Sequence, residues 1–505
     1  MIGGKSLESQ EAQLPEETFH YDVLVVGTGN AACSAALSAL EKTPRVGMLE
    51  KAPRRDRGGN SALTVLMRFA FNGIDDLRPL IRNFSEAEMR PLLEGLPHRT
   101  EAELWDEIMR VTNNQSDQQM LQVHVTESLK TVHWLAGKGH DWSPATIRDD
   151  NVVTMNGGGP GLQKRNFAIL EQAGVSFHYE TAATALIQDQ QGRVIGVRTL
   201  TPAGFATFTA KSVVLACGSF EANPEMRARY LGPGWDMIRL RGVPFNTGDG
   251  LRMALDIGAM PHGSWTTCHA SPQDINLPVF TVPSAHSLRD SLTRYMYPWG
   301  IMVNTRGERF VDEASDTRGR TYAAMGRSIL FQPGGIAFQI LDAKIRKMNL
   351  YTPNYEKATA AKASTLEKLA EELELDAAKL VATIREFNAA VQPGKYNPDR
   401  HQLDGKCTAG INPPKSNYAL EIDEPPFEAF PVRCGMTFAF GGLKIDPKTA
   451  QVQHVAGRPI GGLYAAGEMA GGLWVGNYAS GSGMMAGATF GRIAGAHAAT
   501  AALKR

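Results

Sequence analysis

The segment 21–27, YDVLVVG, constrains the chain more than any other. It is a short apolar run, rich in β-branched residues and closed by glycine, the pattern of a strand buried on both faces in a parallel sheet. A small-residue helix is expected at once over 31–40. Between them, Gly27-Thr28-Gly29-Asn30-Ala31-Ala32 has the form G-x-G-x-x-A. Gly27 permits a tight turn and Gly29 lets backbone approach a pyrophosphate. Ala32 keeps helix close to sheet, and the amino end of the helix at Asn30 and Ala31 faces the phosphates. A second strand over 45–51 carries Glu50 and Lys51, about 20 residues on, where a carboxylate can hold a ribose hydroxyl. Strand, turn, helix and acid in this register predict an α/β fold built on a Rossmann-like dinucleotide-binding domain.

At 505 residues the chain is too long for one simple core. Lysine plus arginine (52) equals aspartate plus glutamate (52), so no net field favours a polyanion partner such as nucleic acid. The five cysteines are scattered, which excludes a disulfide framework and a zinc ribbon, and no metal site is expected. Residues 1–19 are polar and acidic without the apolar core of a signal peptide, and read as a flexible tail. No run reaches the length of a transmembrane span, so a cytoplasmic protein is expected. Residues 75–150 predict mostly helix. A helix follows from 165, then strands in VSFHYET, TALIQD, VIGVRTL and FATFTA, then a buried strand in SVVLACG. Prolines and short strands mark 251–430, with a charged helical stretch over 366–391. These changes divide the chain into a tail (1–19), the first part of a nucleotide-binding domain (20–258), an inserted capping domain (259–425) and a returning C-terminal part (426–505).

Three further segments, SVVLACGSFEANPEM (212–226), NTGDGLRMALDIGA (246–259) and GGLYAAGEMAGG (461–472), follow in order. With them the chain resembles the fumarate reductase and succinate dehydrogenase flavoprotein family, from about residue 20 to 500. The resemblance implies FAD, held in a glutathione-reductase-type domain with an inserted α+β cap. It places Ala216, Gly218 and Asp249 at the cofactor, and Glu468 on its ribitol or ribose. The turn at Ser480, Gly481 and Gly483 would face the flavin pyrimidine, with the dipole of the next helix favouring negative charge there. GGNSALTVLMRF (58–69) matches the stretch that passes the isoalloxazine, through Gly59, Asn60 and Ser61. Some relatives attach FAD through a histidine in that stretch; Asn60 and Ser61 stand there instead, so noncovalent FAD is expected. Val65 and Leu66 replace the glycines usual in relatives.

The family's reaction adds or removes two hydrogens across a carbon–carbon bond beside a carboxylate. The resemblance makes Arg318, in NTRGERFVDEASDTRGR, the proton donor or a carboxylate anchor, with Arg320 as the other candidate. His269 matches a substrate-binding histidine. Three departures separate the chain from fumarate reductases: MTFAFGG (436–442) lacks a histidine pair, Tyr478 stands where an arginine binds carboxylate, and Arg294-Tyr295-Met296-Tyr297 replaces a proton relay. GNSALT, GMTFAFGGLKID and NYASGSG look most like the tricarballylate dehydrogenase branch. Tyr478 also resembles the tyrosine of 3-ketosteroid 1-dehydrogenases, which polarises a ketone, and Phe438, Phe440 and Trp474 suit a partly apolar substrate. Two other readings stay open: a catalytically silent flavin-binding module, and a nicotinamide-dependent reductase, although no second fingerprint is present. The partners implied are a small carboxylate or ketone and an external electron acceptor: a quinone, a redox protein or dioxygen.

Overall fold

Two β-sheets organise the chain, and each is held by strands far apart in sequence. The computed structural model describes residues 17–504 apart from 83–84, 86, 89–92, 94–95, 97–98, 148–149 and 400–401. In the first sheet the strand Glu17–Val26 lies at the centre, parallel to Val46–Leu49 on one side and Gly204–Leu215 on the other. Pro459–Ala465 extends the parallel set beyond Gly204–Leu215, and Ser176–His178 extends it beyond Val46–Leu49. Ala182–Gln188, Val194–Thr201 and Gly204–Leu215 form an antiparallel meander on the same sheet. The central residues Val23, Leu24 and Val25 are fully buried, as a doubly covered strand requires.

The first strand begins at Glu17, pairing with Ala206, rather than at Tyr21. The part of the expected tail at 17–19 is therefore sheet, and its remainder lies outside the described residues. Residues 142–150 depart from the mostly helical reading of 75–150. Trp142–Ile147 and Asp150–Met155 form an antiparallel hairpin. Pro144 has no N–H to continue a helix, and Val152-Val153-Thr154 is a β-branched run. The following helix starts earlier than expected, at Gly158, behind a left-handed Gly157.

The second sheet takes the strands Cys268–Asp274, Phe427–Ala439, Ile336–Leu341 and Ile301–Asn304 in that order, with Ala361–Ala363 and Arg239–Leu240 also paired to Phe427–Ala439. It therefore reaches beyond the interval 259–425 on both sides. The chain enters it through Arg239–Leu240 and leaves it through the 13-residue strand Phe427–Ala439.

The helix Asn30–Ala39 packs on the C-terminal helix Ser482–Leu503 with almost no side chain between them. A Cβ on Gly491 would lie 2.3 Å from the Ala31 carbonyl oxygen, and one on Gly495 would lie 2.0 Å from that of Ala35. The small-residue text of both helices is the cause of this approach. It is fixed by Asn30 Nδ2, which donates to the Met484 carbonyl at 2.8 Å. No helix among the described residues is long and apolar enough to cross a membrane.

Inside the second sheet, Arg294 and Asp274 form an ion pair of 2.6 Å with both side chains 1% exposed. Asp274 also accepts from Thr359 and from the Asn276 amide, so its oxygens are fully used. Arg294 is held in place by this pair and by the carbonyls of Ser291 and Thr293, to which its Nη1 donates. Removing one member leaves a buried charge unpaired, at a cost of about 3–5 kcal/mol. Arg294→Met is expected to lower the thermal unfolding midpoint by several degrees while leaving the first sheet's far-ultraviolet signature intact. An unchanged midpoint would show that the pair contributes little.

Candidate active site

The G-x-G-x-x-A turn folds as its sequence predicts. Gly27 has φ +108°, and a Cβ there would lie 2.4 Å from the Ala216 carbonyl oxygen, so only glycine lets the two strand ends approach. Gly29 caps the helix without a capping side chain of its own, which leaves room for phosphate oxygens at the helix N-terminus. Ser61 Oγ accepts from the Asn30 amide at 3.0 Å, tying the stretch 59–63 to this turn. Glu50 is buried, and its carboxylate accepts from the Ala52 amide at 2.7 Å and from the Thr28 hydroxyl. Lys51 Nζ meets Asp249 at 2.8 Å, joining the second strand to the segment 246–250.

One cavity begins at this turn and runs to the C-terminal helix. The space between its lining residues, open mouth included, is about 1850 Å³. Gly27, Gly29, Asn30, Ala31, Glu50, Lys51, Gly59, Asn60, Ser61, Ala216, Gly218 and Asp249 line one part. Glu468, Ser480, Gly483, His269 and Tyr478 line the rest, with Val65 and Leu66. Leu66 packs against the left-handed Gly481 that opens the C-terminal helix, so the bulk that replaces glycine at 65–66 faces the cavity. Of the expected site residues, Ala32 and Arg318 do not line it. Ala32 is fully buried in its helix. Arg318 is buried in the first turn of the helix Arg318–Leu330. In that turn the Arg320 carbonyl accepts from Asn477 Nδ2, the neighbour in sequence of the cavity-lining Tyr478. Arg320 itself is tied to Asp316 at 3.4 Å.

An aromatic compartment closes the far end. Around Tyr478 lie Trp474 at 5.1 Å, Phe438 at 5.2 Å and His269 at 5.3 Å between ring centroids. Tyr322 packs on His269 at 5.1 Å. The Tyr478 hydroxyl oxygen accepts the Gly483 N–H at 2.9 Å, within the first turn of the C-terminal helix. Burial raises the Tyr478 phenol above its ordinary value, so it stays protonated at neutral pH.

Sequence reasoning missed Glu221 and Arg241. Glu221 is fully buried; its Oε1 accepts from Asn60 at 2.9 Å and from Asn246 at 2.6 Å. Burial pushes its carboxyl up to about 7, with the two asparagines pulling the other way. Burial and the neighbouring Glu221 push Glu468 well above the carboxylate range, and its Oε2 is buried without a protein partner. An orphaned carboxyl oxygen on the cavity wall fits a hydroxyl-bearing cofactor chain, just as the uncapped helix turn fits its phosphates. Glu221 gave no sequence signal because its role depends on Asn60, Asn246 and Glu468 meeting in space.

A family model described as an FAD binding domain matches residues 93–484. The chain is 28% identical to the NADH:acrylate oxidoreductase of Vibrio harveyi, over 95% of its own length and 50% of that relative's. It is also 28% identical to a probable fumarate reductase of Shewanella frigidimarina, covering 97% of this chain and 76% of the relative. The open conformation of a flavocytochrome c3 fumarate reductase superposes with a TM-score of 0.71 at 26% identity, covering 96% of this chain and 79% of that one. A 3-ketosteroid Δ1-dehydrogenase from Sterolibacterium denitrificans gives 0.72 at 20% identity, covering 95% and 99%, a likeness of fold.

The two raised carboxyls make stability depend on pH. Their protonated forms are favoured in the folded state, so their contribution is complete below the ordinary value of 4.5 and falls as pH rises, Glu221's share being lost as pH passes about 7. The FAD-free protein is expected to lose a few degrees of thermal midpoint between about pH 5 and 8, and Glu221→Gln to flatten that decline. Equal slopes in both proteins would mean that Glu221 ionises as an ordinary carboxyl.

Proposed function

The chain belongs to the FAD binding domain family and binds FAD, and from that premise we propose that it adds or removes two hydrogens across a carbon–carbon bond α,β to a carboxylate or carbonyl. The observation that carries this reading is the single cavity running from the phosphate-binding turn at Gly27–Asn30 to the compartment of His269 and Tyr478. When bound, FAD supplies the hydride acceptor or donor at its N5 position. The relatives named above, an acrylate oxidoreductase and a probable fumarate reductase, support the bond type.

The protein's own groups then have distinct tasks. The Gly483 N–H occupies a lone pair of the Tyr478 oxygen, leaving the phenolic hydrogen to donate to a substrate oxygen. A hydrogen bond to that oxygen acidifies the adjacent C–H, in a compartment whose aromatic walls exclude water. His269, held between Tyr322, Phe438 and Tyr478, positions the substrate against these walls. Arg318 is the candidate to handle the proton or to anchor a carboxylate. Asn60 and Ser61 on the cavity wall support noncovalent attachment of FAD. Electrons pass to an external acceptor: a quinone, a redox protein or dioxygen.

Within this class the substrate we favour is a tricarboxylate such as tricarballylate, because the segments GMTFAFGGLKID and NYASGSG resemble that branch. A second reading, desaturation of a ketone, is favoured by the pairing of Tyr478 with the Gly483 amide. An anaerobic titration separates them. Bleaching of the oxidised flavin by tricarballylate supports the first, and bleaching by a 3-ketosteroid supports the second. An FAD-loaded protein that no carboxylate or ketone bleaches would turn the reading toward a silent flavin-binding module. Arg318→Ala is expected to keep FAD and lose turnover by about 10³-fold, in the range of a lost general acid or base. Tyr478→Phe is expected to cost about 10²-fold if its hydroxyl polarises the substrate, and little if the ring only packs.

A further inference from the structure

The cavity wall carries a buried cation that the sequence alone does not announce. Arg241 follows the strand Arg239–Leu240, which runs parallel to Gly435–Met436. The Arg241 amide continues that pairing by donating to the Met436 carbonyl at 2.6 Å. This register sets the Arg241 side chain beside Thr437 on the cavity wall, where Nη1 donates to Thr437 Oγ1 at 3.1 Å. Both residues line the cavity together with His269, Phe438 and Tyr478.

Arg241 is only 4% exposed. Its Nε has no hydrogen-bond partner, and no carboxylate pairs with its guanidinium among the described residues. A threonine hydroxyl alone does not compensate a buried guanidinium, whose charge ordinarily calls for a carboxylate or phosphate in fork geometry. The phosphate-binding turn is already furnished by the helix at Gly29–Asn30, on a different strand end. Thr437 precedes Phe438, whose ring stacks toward His269 and Tyr478. An anion at Arg241 therefore shares the compartment in which Tyr478 offers its hydroxyl.

We propose that Arg241 and Thr437 form a carboxylate-binding subsite for the substrate, Arg241 gripping two oxygens through its fork. The proposal rests on the dehydrogenase reading above and deepens it: the substrate class is a di- or tricarboxylate, one carboxylate held at Arg241 while another part of the molecule meets Tyr478. The subsite supplies the cationic partner that the tyrosine at 478 cannot provide.

The test is a binding titration, independent of turnover. Purified FAD-loaded protein is titrated with citrate and with malonate, following the perturbation of the flavin's visible spectrum, for the wild type, Arg241→Gln, Arg241→Lys and Thr437→Val. FAD content and thermal midpoint are measured alongside. The expected result is that Arg241→Gln keeps its FAD and binds citrate about 100-fold more weakly, while Arg241→Lys, keeping the charge without the fork, loses about 10-fold. Should Arg241→Gln fail to fold, Arg241→Lys and Thr437→Val carry the test, and unchanged citrate affinity in both overturns the proposal. So does an Arg241→Gln protein that holds FAD and binds citrate like the wild type. Loss of FAD from both arginine variants overturns it too, by assigning Arg241 to the cofactor, as does a wild type that responds to neither anion. Failure of the dehydrogenase reading has a different signature: the anions perturb the flavin in an Arg241-dependent way, yet no carboxylate or ketone bleaches it.

Discussion

The contact between the helix Asn30–Ala39 and the C-terminal helix Ser482–Leu503 governs the rest of the structure. Glycines at 491 and 495 bring backbone against backbone, and the Asn30–Met484 hydrogen bond fixes the depth at which the helices meet. Because the C-terminal helix begins at Ser482, that depth also sets the position of the Gly481 turn, and with it Gly483 and the hydroxyl of Tyr478. The phosphate-binding turn and the reactive compartment are thus two ends of one rigid pair. A side chain at either glycine would separate the helices and open the cavity between them.

The second sheet contributes through its long strand Phe427–Ala439. This strand carries Thr437 and Phe438 to the cavity and receives Arg241 from its parallel neighbour. Polar groups inside the cavity wall are consequently shared between the sheets. Asn60, from the first sheet's loop, donates to Glu221 and to the Thr437 carbonyl, and accepts from the Val243 amide. One asparagine side chain therefore welds three segments that are remote in sequence. Substituting it disturbs the cofactor's surroundings and the substrate wall together.

How much of this was legible in the sequence depended on distance along the chain. The turn at Gly27–Ala32 and the acid at Glu50 were readable because strand, turn and helix are local and their spacing is dictated by one ligand. The segment around Glu468 was readable through resemblance. The hairpin at 142–155 was not, because it interrupts a region whose preceding residues have strong helical periodicity. Arg241 was invisible for a deeper reason. Its position follows from a register with Thr437, 196 residues away, and nothing in RLRGVPF announces that pairing. Glu221 lies in a segment that was recognised, but its environment comes from Asn60, Asn246 and Glu468. Arg318 was singled out by resemblance and is buried in the first turn of the helix Arg318–Leu330, not on the cavity wall.

The Asn30–Met484 hydrogen bond spans 454 residues of chain. During synthesis the fingerprint turn leaves the ribosome long before its partner helix exists. At the usual elongation rate of about 5–20 residues per second, the interval is tens of seconds. Throughout it, the nascent first sheet lacks the helix that walls its cofactor cleft and the parallel strand Pro459–Ala465 that extends it. The complete cleft therefore exists only once the helix Ser482–Leu503 has docked, so its two walls are made at opposite ends of that interval.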